Sequence, residues 1–538
     1  MKKLSYKIIG AAILLISIGS CKKDFLDEKV YSSYSPATLK DSLGFEASVT
    51  GMYNHLSQFF TTSDRQGWLN VWQVGTDIAY AGQQEGIEAP YYNYPALIAT
   101  DAAAGFTWNW AYRMINNANI LIQNAEDPAL VGMTQANKNA ISGEAKFFRA
   151  YAYNILATCF GKVPLVKEPL TAPKTDFVRA PLDEINALIA EDLLFAAANL
   201  PDIDNVKSNS KGRMYGRANK AMAQHLLAEA YLRANKPALA EEQALAVINS
   251  GQFSLTTSRY GTKAGQPGDP FADMFITGNQ RRGQGNKEAL WVMEMENPAT
   301  VTGGITNSPQ HRRVWLAAYY QITGMKITDS LGGRGLARLR LNNWVNYNLY
   351  EPGDMRNSRY NIRREYYYND PTKPATYGKI VPYVGFDTVY RIPPSTTKWN
   401  HFDPLDEFGF AMFKDIILMR LGETYLLLAE AQFKQGKNAE AATTLNTLRA
   451  RSNAAPIDAA AVTLNFILDE RARELLGEEN RRMTLMRTGT LVERAIRLNS
   501  VSPVNQMTGL TSKHLLMPIP QSEIDLNKDA VLEQNPGY

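Results

Sequence analysis

Cysteine is almost absent. The 538 residues hold two, Cys21 and Cys159, so disulfides are not what stabilises a chain of this size; a large core is. Histidine is nearly as scarce. His55, His225, His311, His401 and His514 are scattered, none at the i, i+4 or short-loop spacing of a metal site, so no metal or cofactor is expected. Charge of one sign is missing too. The formal net charge is +4, with no basic stretch that could track a phosphate backbone, which excludes nucleic acid as a partner. Nucleophile-elbow, zinc-protease and Walker-type motifs are missing. The run Gly332-Gly333-Arg334-Gly335 lacks the strand and third glycine of a dinucleotide turn. Glycoside hydrolysis needs only two placed carboxylates, so sequence alone leaves it open.

What is present begins at the N-terminus. Lys2, Lys3 and Lys7 precede an uncharged apolar run, Ile8–Ile18, then Gly19, Ser20 and Cys21. The run is too short to span a bilayer, which takes roughly 20 residues. Basic flank, short apolar core and small residues describe a secretory signal peptide over residues 1–20. A cysteine directly after the small residues is the bacterial lipobox pattern. Cys21 is therefore expected to carry the lipid, tethering a globule without a transmembrane helix. Residues 21–35 read as the lipidated tether. Removing three lysines leaves 54 basic residues against 53 acidic ones, so the mature chain is close to neutral.

Beyond the tether, apolar spacing predicts helices from about Thr38, over Trp108–Asn124, over Asn137–Phe160 and over Leu182–Asn199. Gly67–Ala99 reads as loop. Trp108, Tyr112, Ile115 and Asn119 share one helical face, which places them in the core. Cys159, inside an apolar helical run, is expected to be buried and inert. A repeat then shows itself. Leu227-Ala-Glu-Ala-Tyr-Leu232, the Asn235-Lys236 turn and Ala240 recur as Leu428-Ala-Glu-Ala-Gln-Phe433, Gly436-Lys437 and Ala441, at a constant offset of 201. Small residues for close helix approach and a chain-reversing turn are the logic of a tetratricopeptide (TPR) unit, here interrupted rather than continuous. The expected fold is mostly α: a TPR-like helical-pair scaffold with a large irregular insertion carrying short strands. Its parts are an N-terminal helical region (36–250), an irregular aromatic-rich region (251–415) and a C-terminal helical region (416–538). Strand-like pieces within the insertion are Ala289–Glu294, Arg364–Tyr368 and Tyr383–Ile392.

Several segments are more specific. They are Leu418–Ala431, Leu445–Arg451, Ile467–Arg482 running on to Leu485–Gly489, His514–Ile524 and Gln534–Tyr538, with Gly143–Tyr151, Gly161–Leu165 and Gly216–Lys220 in the first half. In this order behind a lipobox, they resemble the SusD/RagB family of outer-membrane lipoproteins over nearly the whole mature chain. The resemblance implies a non-catalytic binding protein lipid-anchored at the outer membrane, facing the exterior. It would capture oligosaccharide and pass it to a TonB-dependent SusC-type barrel. Alternatives are an oligopeptide cargo, as the RagB side implies, a surface glycosidase, or a scaffold that only clamps the barrel.

The motifs themselves read as structural. Charges in Ile467–Arg482 alternate in sign, with Glu470 and Arg473 at attractive i, i+3 spacing, and Glu229 and Glu430 occupy equivalent repeat positions. Binding is assigned to aromatics instead. A sugar ring has a C–H face that stacks on Trp or Tyr and hydroxyls that bond polar side chains. Two irregular segments hold that mixture. One runs from Trp68 to Tyr94. The other runs from Trp315 through Tyr320, Trp344, Tyr347 and Tyr350 to Tyr366–Tyr368 and Trp399. The expected ligand contacts are Tyr91, Tyr92, Trp315 and Tyr319, with Asp77 and Gln83 as hydroxyl partners.

Overall fold

The computed structural model describes residues 41–61, 67–302, 309–385, 387–499 and 506–538. The expected signal peptide, Cys21 and the tether lie outside the described residues. Two units are distinguished, Met1–Ser48 and Val49–Tyr538. In the first, the Asp41 side chain accepts from the Gly44 amide at 2.7 Å, at the start of helix α1 (Ser42–Gln58). Everything below concerns the second.

Its scaffold is helical. Helices α2 (Ala102–Glu126), α3 (Gln135–Phe160) and α4 (Leu182–Asn199) pack in sequence, α2 on α3 and α3 on α4. Asp101 and Thr134 accept from the third amide onward, Ala104 and Asn137, so the first two of these helices start at defined N-caps. Gly161, at φ +71°, ends α3 and returns its amide to Ala157. Trp108, Ile115 and Asn119 are buried as expected, and Tyr112 donates to the Pro164 carbonyl at 2.8 Å. Cys159 is buried, and burial pushes its thiol well above the ordinary range.

The repeat is reproduced residue for residue. Helix α5 (Lys220–Arg233) corresponds to α7 (Leu421–Lys434), and α6 (Pro237–Ile248) and α8 (Asn438–Arg451) likewise begin 201 residues apart. Both hairpins turn through a left-handed residue, Asn235 at φ +54° and Gly436 at φ +75°, positions where Asn and Gly are tolerated best. The two hairpins are adjacent in space although far apart in sequence. α6 packs on α7, and Glu241 accepts from Lys437 Nζ at 2.6 Å and Gln435 Nε2 at 2.7 Å. Helices α9 (Leu464–Leu475), α10 (Arg481–Arg487) and α11 (Leu491–Leu498) complete the scaffold.

The excursion between the hairpins is clamped at its ends. Strand β2 (Ala289–Met293) pairs antiparallel with β4 (Ile416–Arg420), so the chain leaves and re-enters the scaffold at one place. Between them lie single helical turns, a two-residue ladder of Ile362–Arg363 with Ser395–Thr396, and β3 (Leu339–Leu341), which pairs with β1 (Ala79–Ala81) from the early loop. The strand expected at Ala289–Glu294 is β2. The other two are not regular strands. Around Arg364–Tyr368 the chain makes a local hairpin with Lys379–Val381, its only ladder contact an isolated Tyr367–Ile380 bridge among the described residues. Pro371 and Pro374 in the connection and Pro382 after it cannot donate to a ladder. Tyr383–Ile392 bends at Gly385, φ +55°, into a helical turn, Asp387–Tyr390. The glycine-rich run is a packing device. A Cβ on Gly335 would meet the Leu316 and Ala317 carbonyl oxygens at 2.2 and 2.4 Å.

A buried ionic network welds insertion to scaffold. Glu470 accepts from Arg356, Arg449 and Arg473, and Glu474 from Arg356, Arg420 and Arg451. Glu288 accepts from Arg420 and Arg451, and Asp354 from Arg356. The alternating charges of the Ile467–Arg482 segment are therefore structural. The same holds for Glu430, whose carboxylate is gripped by both Arg487 nitrogens at 2.8 and 2.7 Å.

Candidate functional site

The β1–β3 pair joins the two aromatic segments. Tyr80 lies opposite Arg340, Ala79 opposite Leu341 and Ala81 opposite Leu339. The pairing continues as the Gly82 amide donates to Arg338 O at 2.9 Å and the Gln83 amide to Ala337 O at 3.0 Å. Strand alternation sorts the side chains. Ala79, Ala81, Leu339 and Leu341 point into the core, while Tyr80, Arg338 and Arg340 share the opposite face. The Arg340 guanidinium stands 5.2 Å from the Tyr80 ring centre. Two exposed rings adjoin it, Tyr347 (66% exposed) and Tyr383 (43%). Burial pushes the Tyr80 phenol up to about 12; the Arg340 charge opposes this, and Tyr383 and Tyr347 add to it. Burial also raises Tyr383, against the charge and hydrogen bond of Arg340.

On the other side of Arg338 lies a second group of rings. Arg338 is paired with Glu85 at 2.6 Å and donates to the Gln83 and Gln84 carbonyls at 3.3 and 3.2 Å. Arg334 donates to the Tyr320 hydroxyl at 3.3 Å and to the Phe408 carbonyl. Phe410, 56% exposed, has Arg313 at 4.2 Å and Arg334 at 5.3 Å from its ring centre. These groups form a surface strip of aromatic rings alternating with guanidinium groups. Rings supply flat apolar faces and cation–π partners, and guanidinium and amide groups supply directed donors.

The residues expected to bind divide sharply. Gln83 is exposed at the edge of this strip. The others lie inside. Asp77 is fully buried, accepting from Arg481 at 2.8 and 2.6 Å and from Arg494 at 2.7 Å. Burial alone would raise its pKa, but the two guanidinium groups hold it below the usual carboxylate range. Tyr91 is buried and donates to Asp101 at 2.6 Å; Tyr92 is buried beside it. Tyr319 donates to the Gly333 carbonyl at 2.8 Å, and Trp315 packs at the Gly477 turn, which a Cβ would bring within 3.4 Å of its ring. Sequence proximity to loops could not distinguish these rings from exposed ones, because a loop-rich region this large has a core of its own. Arg338, Arg340, Tyr383, Phe408 and Phe410 went unselected. The Arg338-Leu-Arg-Leu341 alternation is the signal that marks a one-sided strand there.

Asp77→Ala is expected to take the shared carboxylate from two buried guanidinium groups, leaving Arg481 with Glu479 and Arg494 with Asp469, and to cost about 3 kcal/mol of stability, read as a lowered urea midpoint.

Behind the strip, a cavity of about 130 Å³ is lined by Trp72, Gln73, Thr158, His311, Trp315 and Trp399 among others. Trp72 Nε1, Gln73 Oε1, Thr158 Oγ1 and His311 Nδ1 have no protein partner there, and burial pushes His311 down to about 3, so its ring is neutral. Of the carboxylates at its wall, Glu229 accepts from the Asn154 amide group at 3.2 Å, while Glu423, Glu478 and Glu479 are held in ion pairs. Glu423 is held by Arg471 at 2.7 Å and lies 3.4 Å from His225, and Glu478 is held by Lys398 and Arg420. Among the described residues no group of three or more His, Cys, Asp or Glu side chains is placed to hold a metal ion.

Comparison with known proteins agrees with this architecture. Residues 24–232 match a family described as "Starch-binding associating with outer membrane", and residues 411–538 match the SusD family. The chain is 26% identical to SusD-like protein P2 of Formosa agariphila, with 100% of both chains covered. It is 25% identical to the starch-binding protein SusD of Bacteroides thetaiotaomicron, over 76% of this chain and 74% of that one. Among solved structures, surface glycan-binding protein A from Bacteroides thetaiotaomicron in complex with laminarihexaose has the same fold. Its TM-score is 0.69 at 18% identity, with 92% of this chain and 99% of that one covered.

Proposed function

The chain belongs to the SusD family, and from that premise we propose that it captures oligosaccharides, without cleaving them, on the strip built around β1 and β3. The observation that carries this reading is the Tyr80–Arg340 pairing, which sets the exposed rings of Tyr347 and Tyr383 beside a guanidinium on one face. A pyranose ring lays its C–H face on such rings, while Gln83 and Arg340 bond its hydroxyls. The binding role thereby passes from the buried Asp77, Tyr91, Tyr92, Trp315 and Tyr319 to Tyr347, Tyr383, Tyr320 and Phe410, with Gln83 retained. Each ring contributes modestly, so affinity rises with oligomer length as more sugar units find a platform.

Ion pairs at Glu423, Glu478 and Glu479 on the cavity wall favour retention without cleavage. Burial pushes the Glu423 carboxyl up, but the His225 hydrogen bond and Arg471 bring it down to about 2, the opposite of what a general acid needs. The lipid on Cys21 holds the protein at the outer membrane, facing out, and a TonB-dependent barrel of the SusC type receives the cargo.

Isothermal titration against an oligosaccharide panel that includes laminarihexaose tests the reading. Tyr347→Ala and Tyr383→Ala are each expected to weaken binding several-fold, consistent with about 0.5–1.5 kcal/mol for one ring contact. Unchanged glycan affinity in the double variant would remove the strip from the binding role. Tight binding of oligopeptides with no glycan bound would transfer the fold to a peptide cargo.

A further inference from the structure

Many guanidinium groups of the scaffold are matched with carboxylates, among them Arg149, Arg356, Arg420, Arg471 and Arg481. Others, such as Arg312 and Arg482, are satisfied by backbone carbonyls and a tyrosine hydroxyl. The strip gathers three more whose partners are neutral. Arg313, Arg334 and Arg340 make no ion pair among the described residues. Arg313 donates to the Gln310 side chain at 3.1 Å and lies against Phe410. Arg334 has Tyr320 and the Phe408 carbonyl. Arg340 has the rings of Tyr80 and Tyr383. The Nε–H groups of Arg313 and Arg340 are buried without a partner.

The carboxylates nearby form no ion pair with these three groups among the described residues. Glu85 is engaged by Arg338. Glu88 is buried and accepts from the Glu85 and Gly86 amides at 2.8 and 3.0 Å. Asp403, Asp406 and the exposed Glu407 sit in the adjacent 403–410 turn, where Asp403 accepts from the Leu405 amide at 2.9 Å. Like charges are pressed together: burial first, then Arg334 and Arg338, push Arg313 down to about 10. A cluster of guanidinium groups without ion pairs of their own, Arg340 on β3, Arg334 in the loop before it and Arg313 in the His311–Trp315 turn, is a standing cost that an anion bound across it would offset.

We infer that the strip selects anionic oligosaccharides, chains whose sugar units carry carboxylate or sulfate-ester groups. This rests on the strip being the glycan site. Arg334 and Arg340 are half-exposed and reach the anionic groups directly, in the bidentate geometry that planar guanidinium favours. Arg313, buried under Phe410, acts through its field. Arg338 is already engaged by Glu85, so the charged groups of a polymer meet Arg334 and Arg340 while the intervening rings stack on its sugars.

Titration of the full chain in detergent with three probes tests this: oligogalacturonate, sulfated carrageenan oligosaccharide and neutral laminarihexaose. At least one anionic probe is expected to bind about tenfold or more tighter than the neutral one in 20 mM NaCl. Its advantage should fall about tenfold on going to 500 mM NaCl as screening sets in; this reading needs no variant and so cannot be confused with misfolding. Which anionic probe wins tells carboxylate from sulfate recognition. The double variant Arg334→Gln, Arg340→Gln, checked for an unchanged melting curve, is expected to bring the anionic-to-neutral affinity ratio close to one. Equal, salt-insensitive binding of all three probes, still lost in Tyr347→Ala with Tyr383→Ala, would overturn the charge selection and leave the glycan strip standing. Binding of none would overturn both.

Discussion

Glu474→Ala is expected to lower the unfolding free energy by about 3–5 kcal/mol, the cost of stranding buried cations by removing their shared partner. Glu474 has no solvent exposure and accepts from three guanidinium groups, Arg356 at 3.0 Å, Arg420 at 2.5 Å and Arg451. Those three arrive from different places: the insertion, the end of β4 and the end of α8. Arg356 is shared further with Asp354 and Glu470, and Arg420 and Arg451 with Glu288. Deleting one carboxylate therefore unbalances a network in which insertion and scaffold hold each other. A surface pair supplies the contrast. Glu493 and Arg497 stand at i, i+4 with each about half exposed, and Glu493→Ala is expected to change stability by no more than about 0.5 kcal/mol. Equilibrium urea titrations of both variants check the difference. A Glu474→Ala effect as small as that of Glu493→Ala would show that the network contributes nothing net.

Acid should destabilise the protein steeply between about pH 4.5 and pH 2. Burial pushes the Glu430 carboxyl up, but Arg487, through its charge and two hydrogen bonds, and Lys434 behind it hold it down to about 2. Glu423 is likewise held down to about 2, by His225 and Arg471 against burial. A carboxylate whose folded-state pKa lies below its unfolded value binds fewer protons in the folded state. Its stabilisation is complete above the unfolded value, near 4.5, and is lost as pH falls toward 2. At about 1.4 kcal/mol per pH unit, each group accounts for roughly 3 kcal/mol across that interval. Urea midpoints measured from pH 6 to pH 2.5 should fall throughout the lower half of the range. Arg487→Leu should remove the Glu430 share by destabilising the protein at neutral pH, leaving a shallower acid slope. A flat profile down to pH 3 would contradict the assignment.

Recurrence is what made the scaffold legible. Alanine spacing, the Asn235 and Gly436 turns and the constant 201-residue offset are local properties, and the structure repeats them in matching helix starts. The adjacency of the two hairpins, α6 against α7, was not legible, because nothing local in either copy reports its neighbour. The insertion shows the same division. Its alternating Ala289–Glu294 segment forms β2, paired with β4. Its tyrosines and tryptophans, rich enough in number to suggest binding, are exposed or buried according to contacts made far along the chain. Tyr319 and Tyr347 both belong to the aromatic-rich insertion, yet the first is buried and bonded to the Gly333 carbonyl while the second is exposed.

By itself, the sequence determined the helical class, the repeat, the structural character of the charged Ile467–Arg482 segment and a family resemblance, because each depends on residues within one or two helical turns or on ordered motifs. Only the tertiary structure decided which aromatic rings face solvent and which guanidinium groups lack a counter-charge. Both are settled by contacts between segments far apart in the chain, such as β1 meeting β3 across some 260 residues, and exposure and charge balance are properties of what surrounds a side chain rather than of the side chain.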